Sequence, residues 1–337
     1  MTAVRFRRER LEAEILDPRH GFERRRLPLE VRWDPLTGRS CRLLPRGSLP
    51  PPVRLDLEGM AERSRPDCPF CPERVEEVTP RFPPEVCSAG RFRHGAAILF
   101  PNLVPYAKWS SVSIYAAARH RIALAELDPQ AIADNLQTQA DFARAVRAYD
   151  PASVWVSVNA NQMPPSGSSV FHPHLQGSVN PTPTTTQALL AALPAAHVRA
   201  YLAAELAAGE RHLGSTGRLD WLASFAPGGQ AEVLAFDFDA RDAGDLDGAT
   251  IAEYADGISR VLATYAELGF ESFNLAIYGP PVQQRERRPR IVRLVARSTI
   301  GPLERSDVMW SERLHDEAVV DLAPEAFAEH ARRHFVR

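Results

Sequence analysis

His172, Pro173, His174, Leu175 and Gln176 are the residues of this chain best placed to do chemistry. In an extended backbone, residues two apart share a face, so His172, His174 and Gln176 project together. Pro173 cannot donate to a central ladder, which predicts a strand edge or a bend, where a site can open. Just before it, Gly167, Ser168 and Ser169 offer backbone N–H groups and hydroxyls, a cradle for phosphate oxygens. A neutral imidazole beside such a cradle attacks phosphorus and leaves again readily, so a histidine here can serve as a nucleophile. The competing reading is two histidines in a polar loop.

Cys68-Pro69-Phe70-Cys71 has two possible chemistries: half of a Zn²⁺ site, or a redox dithiol opening a helix. The segment Arg63 to Asp67 does not read as a buried strand. Pro72, Pro80, Pro83 and Pro84 leave little room for a helix after the second cysteine. Zinc is therefore favoured, with two histidines to complete it. His120 and His172 are candidates, with His94, His20 and His197 as competitors. Cys41 and Cys87 read as isolated thiols, although Cys87 could compete.

These residues must be held by a scaffold. Of 337 residues, 45% are hydrophobic and 24% charged, ordinary for a globular protein and long enough for two domains or a fused pair. A net charge of -2 argues against nucleic acid or an anionic membrane as partner, and the basic run Arg5 to Arg10 with Arg24 to Arg26 reads as a solvated tail. The sequence has no apolar run of membrane-spanning length, no signal core and no disulfide framework, so a cytoplasmic protein is expected. Strands are predicted at 96–101, 110–117 and 154–158, with a long helix at 127–149 capped by Asp128. A loop at 159–169 then leads into the His172–His174 strand. In the second half, a helix at 187–208, a hairpin around Gly228-Gly229, a helix at 249–268 and two strands repeat the same plan. The fold class expected is α+β, two fused domains (1–185 and 186–337) of one plan, each an antiparallel sheet with a long helix.

The chain resembles galactose-1-phosphate uridylyltransferases and their relatives, the transferase branch of the histidine-triad superfamily. Arg32 to Gly38 is similar to that family's R-x-N-P-L-T-G, with Arg46 following. Cys68 to Cys71 comes next, then Phe100-Pro101-Asn102, like its F-x-N strand, and His120 before the long helix. Asn161, Gly167, Ser168, Ser169, His172, Pro173, His174 and Gln176 match the signature N…G-x-S-x-x-H-P-H-x-Q. Trp221 to Pro227 and Val319 to Arg332 resemble the opening and closing segments of its second half, so the match runs from about residue 30 to the C-terminus.

The resemblance implies that the two fused domains are histidine-triad-like, with zinc on Cys68, Cys71, His120 and His172, and His174 as nucleophile. It implies phosphate contacts from Asn161, Ser169 and Gln176 beside Gly167 and Ser168, and nucleotide contacts from Asn102 and Arg46. It also implies a nucleotide sugar (UDP- or ADP-type) and a sugar 1-phosphate as partners, and a homodimer. Leu103 and Leu175 depart from the pattern, and His174-Leu175-Gln176 is closer to diadenosine polyphosphate phosphorylases. No histidine lies between His212 and His315, so the second-half H-x-H of many uridylyltransferases is absent and no second metal is expected there. Glu312 is a loose match to the sugar pocket. Two alternatives stay open: a phosphorylase of dinucleoside polyphosphates or ADP-sugars using the same histidine, and a non-catalytic nucleotide-binding protein.

Overall fold

The computed structural model describes residues 4–49, 56–239, 246–279, 281, 288–298 and 308–336. Strands β1 (Arg7–Asp17) and β2 (Glu23–Trp33) form a long hairpin, and β3 (Ser40–Leu43) pairs with β2. The basic run thus lies on two paired strands, which corrects its reading as a tail. Nearby glutamates reach these arginines across the ladder, Glu30 directly opposite Arg10 at 3.4 Å and Glu12 diagonally from Arg26 at 3.7 Å. Helix α1 (Leu57–Ser64) and the single turn α2 (Val75–Val78) flank the Cys68–Cys71 loop.

Next come β4 (Phe92–His94), β5 (Ala97–Pro101), β6 (Trp109–Ile114), helix α3 (Pro129–Tyr149), β7 (Trp155–Gln162) and β8 (His174–Asn180). Asp128 caps α3 as expected, its carboxylate accepting from the Ala131 N–H. β7 extends through Asn159 to Gln162, four residues into the expected loop. Both its edges are paired, to β8 and to the second half, and that pairing overrides the poor strand propensity of asparagine.

The segment expected as one helix at 187–208 is two, α4 (Thr185–Ala192) and α5 (Ala195–Ala208), bent by 90°. Pro194 pushes Leu193 into extended backbone and supplies no donor, so the helix stops and restarts. Then follow β9 (His212–Thr216), β10 (Leu219–Ala223), β11 (Val233–Asp237), α6 (Gly248–Glu267), β12 (Ser272–Tyr278) and β13 (Arg290–Arg297). Helix α7 (Trp310–His315), β14 (Ala318–Val320) and α8 (Pro324–Phe335) end the described chain, β14 joining β3 in parallel.

The fold is α+β, with a four-stranded sheet β1-β2-β3-β14 and a ten-stranded sheet β4-β5-β6-β8-β7-β12-β13-β11-β10-β9. Five strands come from each half in the same internal order, and the halves meet at β7 and β12. The central pairs of the large sheet are antiparallel. Each half carries its long helix between its third and fourth strand, and α3 and α6 pack on each other. One core joins the sheet to these helices through Leu136, Ala160, Leu175, Trp221, Ile258, Leu275 and Leu294. Leu175 and Gly177 of β8 face that core, so His174 and Gln176 face the other way. Gly177 has a packing reason. A Cβ there would lie 2.2 Å from Gln139 Oε1 and 2.4 Å from Ser111 Oγ, so only glycine admits the polar pair beneath the strand.

Candidate active site and metal centre

β8 starts at His174, directly after Pro173, as the ladder-breaking proline predicts. The imidazole is buried, and its Nδ1 lies 2.9 Å from the His172 carbonyl, which can only accept. Nδ1 therefore carries the proton and Nε2 keeps its lone pair. Burial lowers the pKa of His174, against a smaller raising effect of that hydrogen bond, and so favours the neutral ring. Phe70 stands edge-on to His174 and to His172, with ring centroids 5.6 and 5.9 Å away.

Cys68, Cys71, His120 and His172 converge, all buried, with their ligand atoms within 4.8 Å of one another. Cys68 Sγ is 3.6 Å from His172 Nδ1, and Cys71 Sγ is 3.3 Å from His120 Nδ1 and 3.8 Å from His172 Nδ1. Tetrahedral bonds of roughly 2.0 Å to nitrogen and 2.3 Å to sulfur space ligands about 3.3–3.8 Å apart, so the set fits one metal ion. The outer nitrogens agree. His172 Nε2 donates to the Ala116 carbonyl at 3.0 Å. His120 Nε2 lies 2.9 Å from Ser64 Oγ, whose own proton goes to the Ala61 carbonyl at 2.8 Å. Both rings thus turn a bare Nδ1 inward. Burial and the adjacent Cys68 push the Cys71 thiol up to about 12, so paired thiolates here call for a cation.

The competitors lie elsewhere. His94 is exposed beside Asp134, His20 is exposed beside Asp17, and His197 reaches the Pro35 carbonyl at 3.0 Å. Cys41 is sealed in an apolar cluster, and Cys87 Sγ donates to the Arg91 carbonyl.

The loop expected to cradle phosphate follows β7. Met163 and Gly167 have positive φ, at 70° and 95°, and the turn brings Gly167 beside the Asn161 amide. The Ser168 hydroxyl is turned inward, donating to the Val170 carbonyl at 2.7 Å, while Ser169 is exposed. Gln176 is half-buried, and its backbone carbonyl accepts from the Asn159 side-chain amide at 3.3 Å. Asn102 sits just beyond β5, its side chain accepting from the Val104 N–H at 3.0 Å. Arg46 stands exposed on the turn after β3, in the small sheet, where Asp321 holds the N–H of Gly47.

Sequence reasoning missed Asn274. This second-half residue on β12 donates to Asn161 Oδ1 at 2.7 Å and to the Ser166 carbonyl at 3.0 Å, and Arg297 donates to its Oδ1 at 2.5 Å. It ties down the loop after β7 from the neighbouring strand. The only available signal is an asparagine in an apolar strand, which no local pattern links to Asn161. Glu312 lines a second-half cavity of about 280 Å³.

No protein-family model matches this sequence. An uncharacterized protein of Archaeoglobus fulgidus is 30% identical over 336 residues, covering 98% of both chains. Among solved structures, the chain is similar to an ADP-glucose phosphorylase from Arabidopsis thaliana, crystallised with ADP-glucose, at a TM-score of 0.68 and 20% identity. A GalT-like protein from the same plant has a TM-score of 0.67 and 18% identity, and a uridylyltransferase has 0.61 and 16%. Each of these three alignments covers 90% of this chain and 98% of the other.

Proposed function

This chain belongs to one family with the Archaeoglobus fulgidus protein and has the GalT-like, histidine-triad-type fold, and from that premise we propose that it is a nucleotidyltransferase working through a covalent nucleotidyl-His174. The observation that carries the reading is the proton placement on His174, with Nδ1 occupied by the His172 carbonyl and Nε2 free. In the first step Nε2 attacks the α-phosphorus of a nucleotide sugar. The P–N bond forms as the P–O bond to the sugar phosphate breaks, and sugar 1-phosphate leaves. In the second, an oxygen of the acceptor phosphate attacks the same phosphorus, and the P–N bond breaks. Gln176, Ser169, Asn161 and the Gly167–Ser168 backbone are assigned to the phosphate oxygens, and Asn102 and Arg46 to the nucleotide.

Zinc is the metal proposed for Cys68, Cys71, His120 and His172. It would be structural there, fixing the backbone that aims His174. Residues 1–185 form the catalytic, metal-binding unit in this reading, and residues 186–337 shape the acceptor side. We assign the chain to a homodimer in the cytoplasm. Exposed apolar side chains on the loop after β5 (Leu103, Val104, Tyr106) and on α7 (Trp310, Leu314) are the surfaces that a partner protomer could cover, and among the described residues no single helix is long and apolar enough to cross a membrane.

A second reading, a phosphorylase in which inorganic phosphate takes the nucleotidyl group from His174, is favoured by Leu175 within His174-Leu175-Gln176. Incubating the protein with UDP-glucose or ADP-glucose, and then with galactose 1-phosphate or inorganic phosphate, separates the two by product. Exchange with neither acceptor, from either donor, would count against both.

A further inference from the structure

The internal repeat carries a consequence for the second half. Just beyond β5, the Asn102 N–H donates to the Ser110 carbonyl at 2.9 Å; just beyond β10, the Ser224 N–H donates to the Glu232 carbonyl at the same distance. Asp128 caps α3 and Asp247 caps α6, each accepting from the N–H three residues on. Across the join, Gln176, Asn159, Ala276 and Arg293 face one another on four successive strands. A pseudo-dyad therefore passes between Asn159 and Ala276. It places Ser224 where Asn102 stands, Glu232 at Ser110, Tyr278 at Asn161, Ile291 at His174 and Arg293 at Gln176.

All five of these second-half residues line the same cavity of about 280 Å³, the one that Glu312 borders. It opens on the sheet face that bears His174, three strand spacings, about 14 Å, from Gln176. The duplicated cleft has thus lost its imidazole to Ile291 and with it any covalent step. Its inner charges are paired, and the further cation of the lining, Arg313, stands exposed at the rim. Glu232, 3% exposed, accepts from Arg293 Nε at 2.8 Å and Nη2, and from the Gly228 N–H at 2.7 Å. Arg39 pairs with Asp316 at 2.7 Å, and the Asp34 carboxylate takes the N–H of Leu36 and Thr37. A phosphate entering here would meet a guanidinium already held by a buried carboxylate. The remaining inner polar groups, the Ser224 hydroxyl and the buried Tyr278 hydroxyl, suit hydroxyl partners and are set among Leu36, Leu234 and Phe236.

We propose that this cavity is a second, non-catalytic ligand site that takes an uncharged polyol, through the vicinal hydroxyls of a pyranose or of a nucleoside ribose. It needs no turnover at His174, so its failure and that of the nucleotidyl-transfer reading are separate results. The test uses the full chain bearing His174→Ala, with glucose, galactose, adenosine, uridine and inorganic phosphate followed by saturation-transfer NMR and calorimetry. Saturable binding of a sugar or a nucleoside is expected, weakened at least tenfold by Ser224→Val, which removes a lining hydroxyl, and by Leu190→Trp, which fills the cavity from α4. The two changes sit on different elements, so one variant that fails to fold leaves the other to decide. In the His174-containing chain, both should form the nucleotidyl adduct within twofold of the parent rate. Whether sugars or nucleosides respond identifies the source of the hydroxyls. Absence of saturable polyol binding, binding indifferent to both variants, or phosphate binding more tightly than every polyol would each overturn the proposal.

Discussion

The Nδ1 of His174 donates to the carbonyl oxygen of His172, 2.9 Å away, while the His172 ring turns its own Nδ1 toward Cys68. The candidate nucleophile is therefore oriented by the backbone of a residue that belongs to the candidate metal centre. Damage to the centre should reach His174 through that one peptide.

Cys68→Ser is expected to lower bound zinc and thermal stability together, because metal binding and local folding are coupled. Ser64→Ala is the finer probe. It removes the acceptor that fixes His120 and should weaken metal affinity about 10–100-fold, the usual range for losing such an outer partner. Metal analysis and competition with a chromogenic chelator read both. Protein that purifies without metal and ignores chelators would refute the centre.

Asn274→Ala leaves the Asn161 amide and the Ser166 carbonyl without their shared donor. As a positioning residue, Asn274 should affect the rate of adduct formation, by about 10–100-fold, more than donor KM. Asn274→Asp keeps the size but not the two donated hydrogen bonds, and should not rescue. A rise in KM with an unchanged rate constant would assign Asn274 to binding.

Asp150, just past α3, accepts from Trp109 Nε1 at 2.8 Å and Ser153 Oγ at 2.7 Å, and pairs with Lys108 at 2.6 Å. Lys108 first, then Trp109 and Ser153, lower its pKa from 3.8 to about 2. A depressed carboxylate stabilises the fold above pH 3.8, and the contribution is lost as pH falls toward 2. Asp150→Asn should therefore lower the melting temperature by a few degrees at pH 7, and the gap should close between about pH 4 and pH 2. A gap that is constant with pH would show that charge at Asp150 is not what matters.

Gly177→Ala should cost about 1–3 kcal/mol, since its Cβ would meet Gln139 and Ser111 beneath β8. Chemical denaturation measures it. Wild-type stability would mean that α3 shifts freely against the strand, contrary to the packing described.

Much of this was legible in the chain because the chemistry is local. His172 and His174 alternate along one strand, Cys68 and Cys71 share one loop, and Asp128 with Pro129 marks the start of α3. What was not legible depends on partners distant in sequence. Asn159 to Gln162 read as loop until β12 supplied a second edge, and Asn274 acquires meaning only from lying opposite Asn161. The N-terminal arginines are exposed but read as a tail, because the strand that pairs with them lies across a hairpin. The counterpart cleft was invisible for another reason. The register repeats, but the residues in it, Ile291 and Arg293 for His174 and Gln176, do not.

The most direct measurement is the intact mass of the protein after incubation with UDP-glucose and, separately, ADP-glucose. The parent chain should gain one nucleoside monophosphate per chain, acid-labile and located on His174 by peptide mapping. His174→Ala should gain none while keeping its fold and metal. An adduct of unchanged amount on His174→Ala, or turnover by that variant at the parent rate, would contradict the account.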